Sequence, residues 1–483
     1  MTQTDPNLIR VEGTDRTFNR IKVLFVLLLP LAMSLMALSS VNVALPTIEQ
    51  GLDASSGDVQ WILSGYALSF GVALIPAGRV GDVLGRGSWF LTGLALFVLA
   101  SIACALAPTP LLLNAGRIVQ GLGAGLFSPQ VTGMITQYFT GRGRARAFSM
   151  FGLVISASVA IGPVLTGAVI GAVGPEWGWR WAFLFNLPLG VLGIVLGLLW
   201  FPFETERRRR HGQVARAGRL DLDPVGMAVL TVAILCLMYP FMAHARWAWA
   251  LLPAAPVLLW GWVVWERRYL ARGREPMVDL RLFDFHSFRN GMLVSGVMFL
   301  GVASTFAVAA LYLQSGLHVS ALHAGLLGLP NAVVSAYSAV WSVKYVMTMG
   351  RRLVVWMLAL MALGTALSIL VILLGLPWWL LAVTLALNGF GMGAMGSANQ
   401  TLSMEDVPPR HGGTAGGIKQ TVERIGAALG NAVITGVLFG MVGAGLDWNL
   451  AFAGSFAAIV VCVLAAAAIA VYDEREHRVV AAG

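Results

Sequence analysis

Charge is scarce in this sequence, and that scarcity decides the class of protein. Only 11% of the 483 residues are charged, whereas 58% are hydrophobic, and the mean hydropathy is +0.78. A water-soluble domain keeps about a quarter of its residues charged, so a soluble fold cannot hide this much apolar surface. The chain must use lipid as its solvent, and its length leaves room for many membrane-spanning helices of about 20 residues.

Cysteine and histidine are also rare. Cys104, Cys236 and Cys462 lie far apart in apolar stretches, so they predict packing residues and neither a disulfide framework nor a metal site. The seven histidines show no metal-ligand spacing. No Walker-type phosphate loop is present, and the Gly-x-Gly pairs at 121–125 lie inside an apolar run, where a nucleotide loop cannot form. We therefore expect no metal, no cofactor and no catalytic residues.

Fourteen apolar runs, separated by polar or glycine-rich breaks, are predicted to be helices. The first six are Ile21–Pro46, Val59–Ala77, Ser88–Ala107, Leu111–Tyr138, Phe148–Val173 and Trp181–Phe203. The others are Pro224–Met242, Trp249–Val264, Gly291–Gly316, Ala321–Met347, Leu353–Leu376, Trp378–Leu402, Gly412–Gly440 and Leu450–Val471.

These runs predict a domain organisation with two six-helix bundles. The predicted segments are a cytoplasmic tail at 1–20, a bundle at 21–203, basic linkers with two inserted helices at 204–288, a bundle at 289–472 and a tail at 473–483. The first segment is polar and has no cleavage-site pattern, so we expect a retained tail and not a signal peptide.

Basic residues concentrate in alternate loops. Only Arg180 and Arg246 lie in the predicted outer loops. The inner loops hold Arg142, Arg144, Arg146, the run Arg207–Arg210, the basic residues from Arg267 to Arg281, Arg351 and Arg352. This asymmetry predicts a cytoplasmic location for both termini. It also accounts for the net charge of +9, which disfavours the alternative of a nucleic-acid-binding segment at 207–219.

The two halves of the sequence repeat each other at a spacing of about 265 residues. GLDAS at 51–55 recurs as GLHVS at 316–320, and Gly85-Arg86 recurs as Gly350-Arg351. QGLGAG at 120–125 is similar to NGFGMG at 388–393. A register kept over this distance indicates two homologous six-helix halves, an arrangement typical of transporters with a midplane cavity.

A charged loop stands between the second and third runs and reads GRVGDVLGR. Its glycines and charges include Gly78, Arg79, Asp82, Gly85 and Arg86. A tight turn needs glycine, and a carboxylate between two arginines can form charge-assisted hydrogen bonds. Such a cluster can hold two parts of a protein together in one conformation and release them in another. The alternative is an ordinary solvated loop.

The loop resembles the signature of the major facilitator superfamily, G-x-x-x-D-R-x-G-R. Val83 stands where the arginine is usual and Gly87 where another basic residue often follows, so the resemblance implies a gating network with fewer charges. The family implies an all-helical membrane fold of two six-helix bundles, here with an inserted helix pair, around a cavity that opens alternately to each side.

The fourth run carries Arg117 and Gln120 in the sequence RIVQGLG. An arginine inside an apolar run is costly and usually faces a cavity or a partner. The stretch resembles the superfamily's helix-4 motif R-x-x-Q-G-x-G, whose arginine is implicated in proton coupling. The alternative is that Arg117 binds backbone carbonyl groups and holds the bundle together. In either case Gln120 lies one turn away.

The fifth run contains GPVLTG, with Gly162, Pro163 and Gly167. It resembles the antiporter motif G-P-x-x-G-G, with Thr166 replacing the first of the paired glycines. Proline bends a helix and glycine permits close packing. The resemblance implies export and not import, and the alternative is a role in packing alone.

Two further stretches indicate which family within the superfamily the chain resembles. WRWAFLFNLPLG at 179–190 resembles W-R-W-x-F-x-x-N-x-P-x-G and, with the fourteen runs, implies the fourteen-helix drug:proton antiporter family. That family usually reads D-x-T-x-V-N-V-A-L-P in its first helix, whereas this chain reads ALSSVNVALP. Asn42 is retained, but Ala37 replaces the membrane-embedded aspartate, so proton or cation binding at that position is not available.

One acid, Glu423, lies well inside an apolar run, in GIKQTVERIGAALG at 417–430. Helical spacing places it over Gly426 and Gly430, a small-residue face expected to pack toward the bundle. Lys419 lies one turn earlier on that face and could pair with it. We predict that Glu423 supplies the proton-binding carboxylate that Ala37 does not. The alternative is a Lys419–Glu423 pair near the cytoplasmic end of the helix, in contact with water.

Together, the motifs imply a monomeric secondary exporter of hydrophobic or amphiphilic organic compounds in the cytoplasmic membrane. The proton gradient would drive it by antiport, and it would have no enzyme activity and no nucleic-acid partner. The scarcity of acids in the runs disfavours a multivalent cation as substrate.

Two alternatives belong to other functional classes. A facilitator or importer without proton coupling is favoured by Ala37 and disfavoured by the motif at Gly162 and Pro163. A receptor or lipid-modifying enzyme is disfavoured because the sequence shows no catalytic carboxylate pair, histidine cluster or long soluble domain.

Overall fold

A computed structural model describes residues 7–10, 17–203, 221–243 and 246–482. Most of them are helical, because a chain that crosses lipid must satisfy its backbone N–H and C=O groups within each segment. A short antiparallel ribbon, β1 (Leu8–Arg10) and β2 (Thr17–Asn19), precedes the first helix. The basic run at 207–210 and the rest of 207–219 lie outside the described residues.

The first half of the chain contains seven described helices up to residue 203. They are α1 (Arg20–Leu52), α2 (Ser56–Leu84), α3 (Arg86–Ala105), α4 (Pro110–Tyr138), α5 (Gly141–Val173), α6 (Pro175–Leu184) and α7 (Asn186–Trp200). The predicted inserted pair forms α8 (Pro224–Ala243) and α9 (Ala254–Ala271), with a 3₁₀ turn at Arg246–Leu251 between them.

The second half begins after a 3₁₀ turn at Leu280–Asp284. Its helices are α10 (His286–Val302), α11 (Thr305–Leu311) with a π-helical turn at Tyr312–Gly316, α12 (Ala321–Leu326), α13 (Gly328–Trp341), α14 (Val343–Met349), α15 (Arg351–Leu373), α16 (Leu381–Ser403), α17 (Gly412–Gly443) and α18 (Trp448–Ala482). Further 3₁₀ turns lie at Trp378–Leu380 and Pro409–His411.

Twelve described segments are long and apolar enough to cross a membrane. The bent pair formed by 323–341 and α14 would make a thirteenth. Helix α4 has sufficient length but falls short in hydropathy, because it carries Asn114, Arg117, Gln120 and Gln130. Helix length and composition therefore support twelve or thirteen spans, against the fourteen predicted.

Two predicted runs are broken where a proline follows four residues later. α6 ends at Leu184, four residues before Pro188, and α12 ends at Leu326, four residues before Pro330. Proline has no N–H to donate to the carbonyl group four residues earlier. A hydrogen bond is therefore missing at each of the two breaks.

Two predicted runs are longer than expected. α1 passes through Pro46 to Leu52, because a proline removes only one hydrogen bond of a long helix. α18 continues from the predicted end at Val471 to Ala482. Its extension carries acids that pair with Arg351, Arg352 and Arg478, so charged contacts replace apolar ones there.

The chain forms two compact units. Unit 1 contains Met1–Thr140, Ile161–Leu282 and Pro408–Thr421; unit 2 contains Gly141–Ala160, Phe283–Val407 and Val422–Gly483. One apolar cluster of unit 1 includes Ile48, Trp179 and Phe183. The core of unit 2 includes Phe452 and Phe456, whose rings stack with centroids 4.0 Å apart. Because α17 up to Thr421 belongs to unit 1, this segment can position residues of that unit.

The sequence repeat is visible in the backbone of each unit. Asp53 and His318, 265 residues apart, both adopt left-handed conformations, with φ of 49° and 54°. Ser55 and Ser320 follow at the same spacing, and each caps the next helix by accepting a hydrogen bond from the N–H three residues later. The turn between the first two helices of each half is therefore built in the same way.

A second repeated feature joins α4 to α3 and α16 to α15. Gln120 Nε2 donates to Ser101 Oγ at 2.7 Å, and Asn388 Nδ2 donates to Thr365 Oγ1 at 2.9 Å. In each unit a buried amide thus binds a buried hydroxyl group on the preceding long helix. The side chains differ, but the contact is conserved between the halves.

Candidate functional site

The charged loop lies at the end of α2, where Arg86 uses all five N–H groups of its side chain. Its Nε and Nη2 atoms donate to Asp82 Oδ1 at 2.8 and 2.6 Å. Nη1 donates to the Gly133 carbonyl oxygen at 2.8 Å and to Gln137 Oε1 at 2.7 Å. Nη2 also donates to the Pro409 carbonyl oxygen at 2.5 Å. A planar fork of donors is needed to satisfy this set.

Asp82 also caps the N-terminus of α17. Its Oδ1 atom accepts from the Gly413 N–H at 3.0 Å, and Oδ2 accepts from the N–H and the hydroxyl group of Thr414, both at 2.8 Å. The first N–H groups of a helix have no partners within it and carry partial positive charge. The side chain is only 2% exposed. A single carboxylate therefore binds Arg86 and the first turn of a helix more than 300 residues away.

Backbone contact reinforces this attachment. A Cβ atom on Gly78 would lie 2.5 Å from the Gly413 carbonyl oxygen, and one on Gly417 would lie 2.5 Å from that of Leu74. Only glycine permits such an approach. One helix turn further, Ser128 Oγ donates to Gln420 Oε1 at 2.6 Å. The first residues of α17 are therefore held against α2 and α4 within unit 1.

Arg79 does not join Asp82, in contrast to the prediction. Its Nη2 atom donates to the Asp221 carbonyl oxygen at 3.0 Å and to Glu275 Oε2 at 3.1 Å. The oxygens of Asp82 are already engaged by Arg86 and α17. Arg79 instead ties α2 to the segments that flank α8 and α9.

Arg117 is fully buried in unit 1. Its Nε atom donates to the Ile62 carbonyl oxygen at 2.9 Å, and Nη1 donates to Gln120 Oε1 at 2.6 Å. The guanidinium group lies 4.3 Å from the centre of the Tyr66 ring. No carboxylate lies within ion-pair distance of it in the part of the chain that the structure describes. These contacts favour the bundle-holding role that was the alternative for this residue.

The antiporter-like motif of α5 packs against the first helix. A Cβ atom on Gly162 would lie 2.9 Å from Ser40 Oγ and closer still to Ser39 Oγ. One on Gly167 would lie 3.8 Å from Val43 Cγ1. Pro163 lies inside α5, which continues through it. The structure thus brings the motif to the stretch of α1 in which the family aspartate is replaced.

That stretch of α1 holds Ala37 and Asn42. Ala37 is buried, with 1% exposure, and therefore occupies a packing position. Asn42 is exposed and its Nδ2 atom lies 3.5 Å from the Leu38 carbonyl oxygen, a weak contact within the helix. Neither residue offers a carboxylate for proton binding.

Lys419 and Glu423 lie in the first half of α17. Lys419 is 1% exposed, and Glu423 is partly buried. The glycines beyond Glu423 pack closely on α10 in unit 2: Cβ atoms on Gly426 and Gly430 would collide with the carbonyl oxygens of Gly296 and Leu300. The predicted small-residue face is therefore a helix-packing face. Pairing of Lys419 with Glu423 stays a prediction.

Unit 2 contains a second arginine cluster that the sequence analysis did not predict. Arg351, the repeat counterpart of Arg86, donates from Nε to Asp473 Oδ2 at 2.8 Å. Asn290 Nδ2 donates to Asp473 Oδ1 at 3.0 Å and to Glu476 Oε2 at 2.8 Å. The acids come from the extension of α18, which the apolar pattern had assigned to a tail.

The long apolar helices and their internal repeat define a multi-pass membrane protein of the transporter class. The family model described as Major Facilitator Superfamily matches residues 27–431, with a second match over 291–482. The chain belongs to the major facilitator superfamily, whose members are transporters and not enzymes.

Relatives within the family are named for drug and antibiotic transport. The chain is 33% identical over 420 residues to the probable actinorhodin transporter of Streptomyces coelicolor, covering 85% of this chain and 71% of that protein. It is 30% identical to the multidrug resistance protein Stp of Mycobacterium tuberculosis, with coverage of 85% and 74%. The tetracenomycin C resistance and export protein of Streptomyces glaucescens is 29% identical, with coverage of 85% and 75%.

Solved structures show the same fold. The human organic anion transporter MFSD10 superposes with a TM-score of 0.67 at 16% identity, covering 93% of this chain and 99% of that one. The proton:xylose symporter XylE gives 0.64 at 15% identity, with coverage of 92% and 94%. At these identities the likeness concerns the fold alone.

Proposed function

We propose that this protein is a secondary active exporter of hydrophobic or amphiphilic organic compounds, of the drug and antibiotic efflux type. The observation that carries the proposal is its similarity, over 85% of its length, to relatives named for antibiotic transport and resistance. We also propose fourteen spans with an inserted pair, counting the bent pair and α4 with the twelve apolar segments. Both termini would lie in the cytoplasm, and the protein would act as a monomer in the cytoplasmic membrane. The proton gradient is the proposed energy source, with no cofactor.

The charged loop is the proposed gate. Alternating access requires a contact that is strong in one state and absent in another. The contact of Asp82 with Arg86 and the first turn of α17 fits this requirement, because charge-assisted hydrogen bonds to a capped helix end are strong when buried and are replaced by water when exposed.

Direct transport measurement tests the function. Purified protein is reconstituted in proteoliposomes, and accumulation of a fluorescent amphiphilic compound is measured with an imposed pH gradient. We expect accumulation that collapses when a protonophore dissipates the gradient, and a drug-susceptibility panel should show resistance in cells that carry the protein. Accumulation without a gradient, or none of any compound in the panel, would contradict the proposal.

Glu423 is the proposed coupling residue, since it is the acid that lies well inside an apolar run and Ala37 offers none. We predict that Glu423→Gln abolishes proton-driven accumulation while substrate exchange without a gradient persists, because glutamine keeps the shape but cannot carry a proton. Both processes are measured in inverted vesicles, with Glu49→Gln, a change at an exposed acid of α1, as the matched control. Full proton-driven transport in Glu423→Gln would remove Glu423 from the coupling mechanism.

A facilitator without proton coupling is the second candidate, favoured by the buried alanine at position 37. Adding substrate to deenergised vesicles separates the two candidates. An antiporter releases protons on the side where substrate enters the protein, whereas a facilitator moves substrate with no change in pH.

A further inference from the structure

Two buried carboxyl groups face each other in the inserted helix pair, and the mechanism proposed above uses neither. Asp223 precedes α8 and is 0% exposed, and Glu266 lies near the end of α9 and is 1% exposed. A Cβ atom on Gly226 would lie within 3.0 Å of both Asp223 Oδ2 and Glu266 Oε1. The two carboxyl groups therefore border the same small space inside unit 1.

One oxygen of Asp223 is held by two donors. Its Oδ1 atom accepts from the Gly226 N–H at 3.0 Å, which caps α8, and from Trp265 Nε1 at 2.9 Å. The positive end of a helix stabilises a negative charge at the cap. The other oxygen, Oδ2, is buried with no hydrogen-bond partner in the described part of the chain.

Glu266 has none of these supports. Both of its oxygens are buried, and neither has a hydrogen-bond partner among the described residues. The Trp262 indole and the Met277 and Val278 amides lie nearby, but none reaches hydrogen-bond geometry. The like charge of Asp223 also acts on it. A second negative charge here would be buried, unpaired and repelled, which costs far more than holding a proton.

The surrounding charges do not compensate. Arg79 contacts Asp221 and Glu275, and Arg274 lies against the ring of Tyr269. Asp221 is itself acidic and accepts from the Tyr269 hydroxyl group at 2.5 Å. Over the described residues, no cation lies within ion-pair distance of Asp223 or Glu266. Arg267 and Arg268, next to Glu266 on α9, are exposed.

We propose that Glu266 and Asp223 form a proton-binding site that holds one proton between two carboxyl groups. The proton resides on Glu266, which borders the same small space as the unpartnered Oδ2 atom of Asp223. The site adjoins the charged loop, because Tyr269 and Asp221 connect α9 to Arg79 of α2. This proton-binding site goes beyond the proposed function, since binding of the proton requires no transport.

Infrared difference spectroscopy of the purified full-length protein, between low and high pH, tests the proposal. A protonated carboxyl group has a carbonyl band that the carboxylate lacks. We expect a buried-carboxyl band that disappears as pH rises in the wild type and is missing from Glu266→Gln. Glu49→Gln, a change at an exposed acid of α1, serves as the control and should retain it. A wild-type spectrum that Glu266→Gln leaves unchanged would overturn the assignment.

Asp223→Asn provides a second test that does not remove the titrating group. Asparagine still caps α8, but the neighbouring negative charge is gone, so Glu266 should release its proton at lower pH. We expect the midpoint of the band to move down by about one pH unit or more. An unchanged midpoint would show that the two groups do not share a site. Because no gradient or substrate is present, these results are independent of whether the protein exports drugs.

Discussion

Arg86 and Arg351 occupy the same position in the two repeats, but they bind different parts of the molecule. Arg86 binds Asp82, four residues earlier on the chain, together with the Pro409 carbonyl oxygen. Arg351 has Met347 at the corresponding earlier position and takes its carboxylate from Asp473 on α18. One arginine thus serves the attachment of α17, and the other ties together helices of unit 2.

The neighbouring residues account for the difference. Gly78 admits the backbone of α17 to contact with α2, whereas Val343 stands at the matching position in the second repeat. A branched side chain keeps a neighbouring backbone at a distance that a glycine does not. The acid and the glycine of the first repeat, which the second repeat lacks, are therefore the residues that contact α17.

Of the changes that test this difference between the two clusters, replacement of Asp82 should have the largest effect on transport. Asp82→Asn leaves Arg86 without a buried carboxylate and turns an amide N–H₂ group toward donors, which costs about 3 kcal/mol in the state that contains the contact. That energy corresponds to a roughly hundredfold shift between states. We expect initial transport rates in proteoliposomes to fall at least tenfold, while the amount of folded protein in the membrane is preserved. Wild-type transport would show that the loop is not a gate.

Arg117 is a second difference between the repeats, because the second repeat has Leu385 at the aligned position. Lysine cannot bind both the Ile62 carbonyl oxygen and Gln120 while lying over Tyr66. We expect Arg117→Lys to lower stability by about 1–3 kcal/mol and to slow transport several-fold. Thermal melting and transport rate are measured on the same preparation. A lower Tm with unchanged transport per folded molecule would assign Arg117 to packing alone.

Asp473→Asn should have the smallest effect on transport. It removes the charged partner of Arg351 and should destabilise unit 2 by about 2 kcal/mol, in the range for hydrogen bonds to charged groups. We expect a Tm lower by several degrees and transport per folded molecule within about twofold of wild type. Glu474→Gln is the matched control. It changes an acid on the same helix whose partner Arg352 is 58% exposed, and such pairs contribute little. If Asp473→Asn reduced transport as strongly as Asp82→Asn, the two clusters would not differ in role.

Most of the fold followed from apolar runs, because lipid forces each apolar run to close its own hydrogen bonds. The breaks after Leu184 and Leu326 were not predicted: Pro188 and Pro330 stand one helical turn later, but α1 and α5 continue through their prolines. The extension of α18 was not predicted either, because its stability comes from arginines more than 100 residues away. A hydropathy pattern contains no information about such partners.

The candidate site was predicted in its residues but not in its contacts. Asp82 and Arg86 stood out by charge in a glycine-rich turn. Gly413 and Thr414 did not, because the residue that caps their helix is distant in the sequence. Nothing in the local sequence indicates which acid accepts from their N–H groups. Arg79 was assigned to the wrong acid for the same reason, since Glu275 approaches it only after α8 and α9 have packed.

The left-handed residues Asp53 and His318 offer a way to learn which unit limits the lifetime of the protein in detergent. A non-glycine residue in this region costs about 1–2 kcal/mol, and glycine does not bear that cost. Neither residue belongs to the loop, the buried arginine or the carboxyl pair. Asp53→Gly removes this conformational cost from unit 1 alone, and His318→Gly removes it from unit 2 alone. Whichever substitution prolongs the folded lifetime on heating identifies the unit that unfolds first.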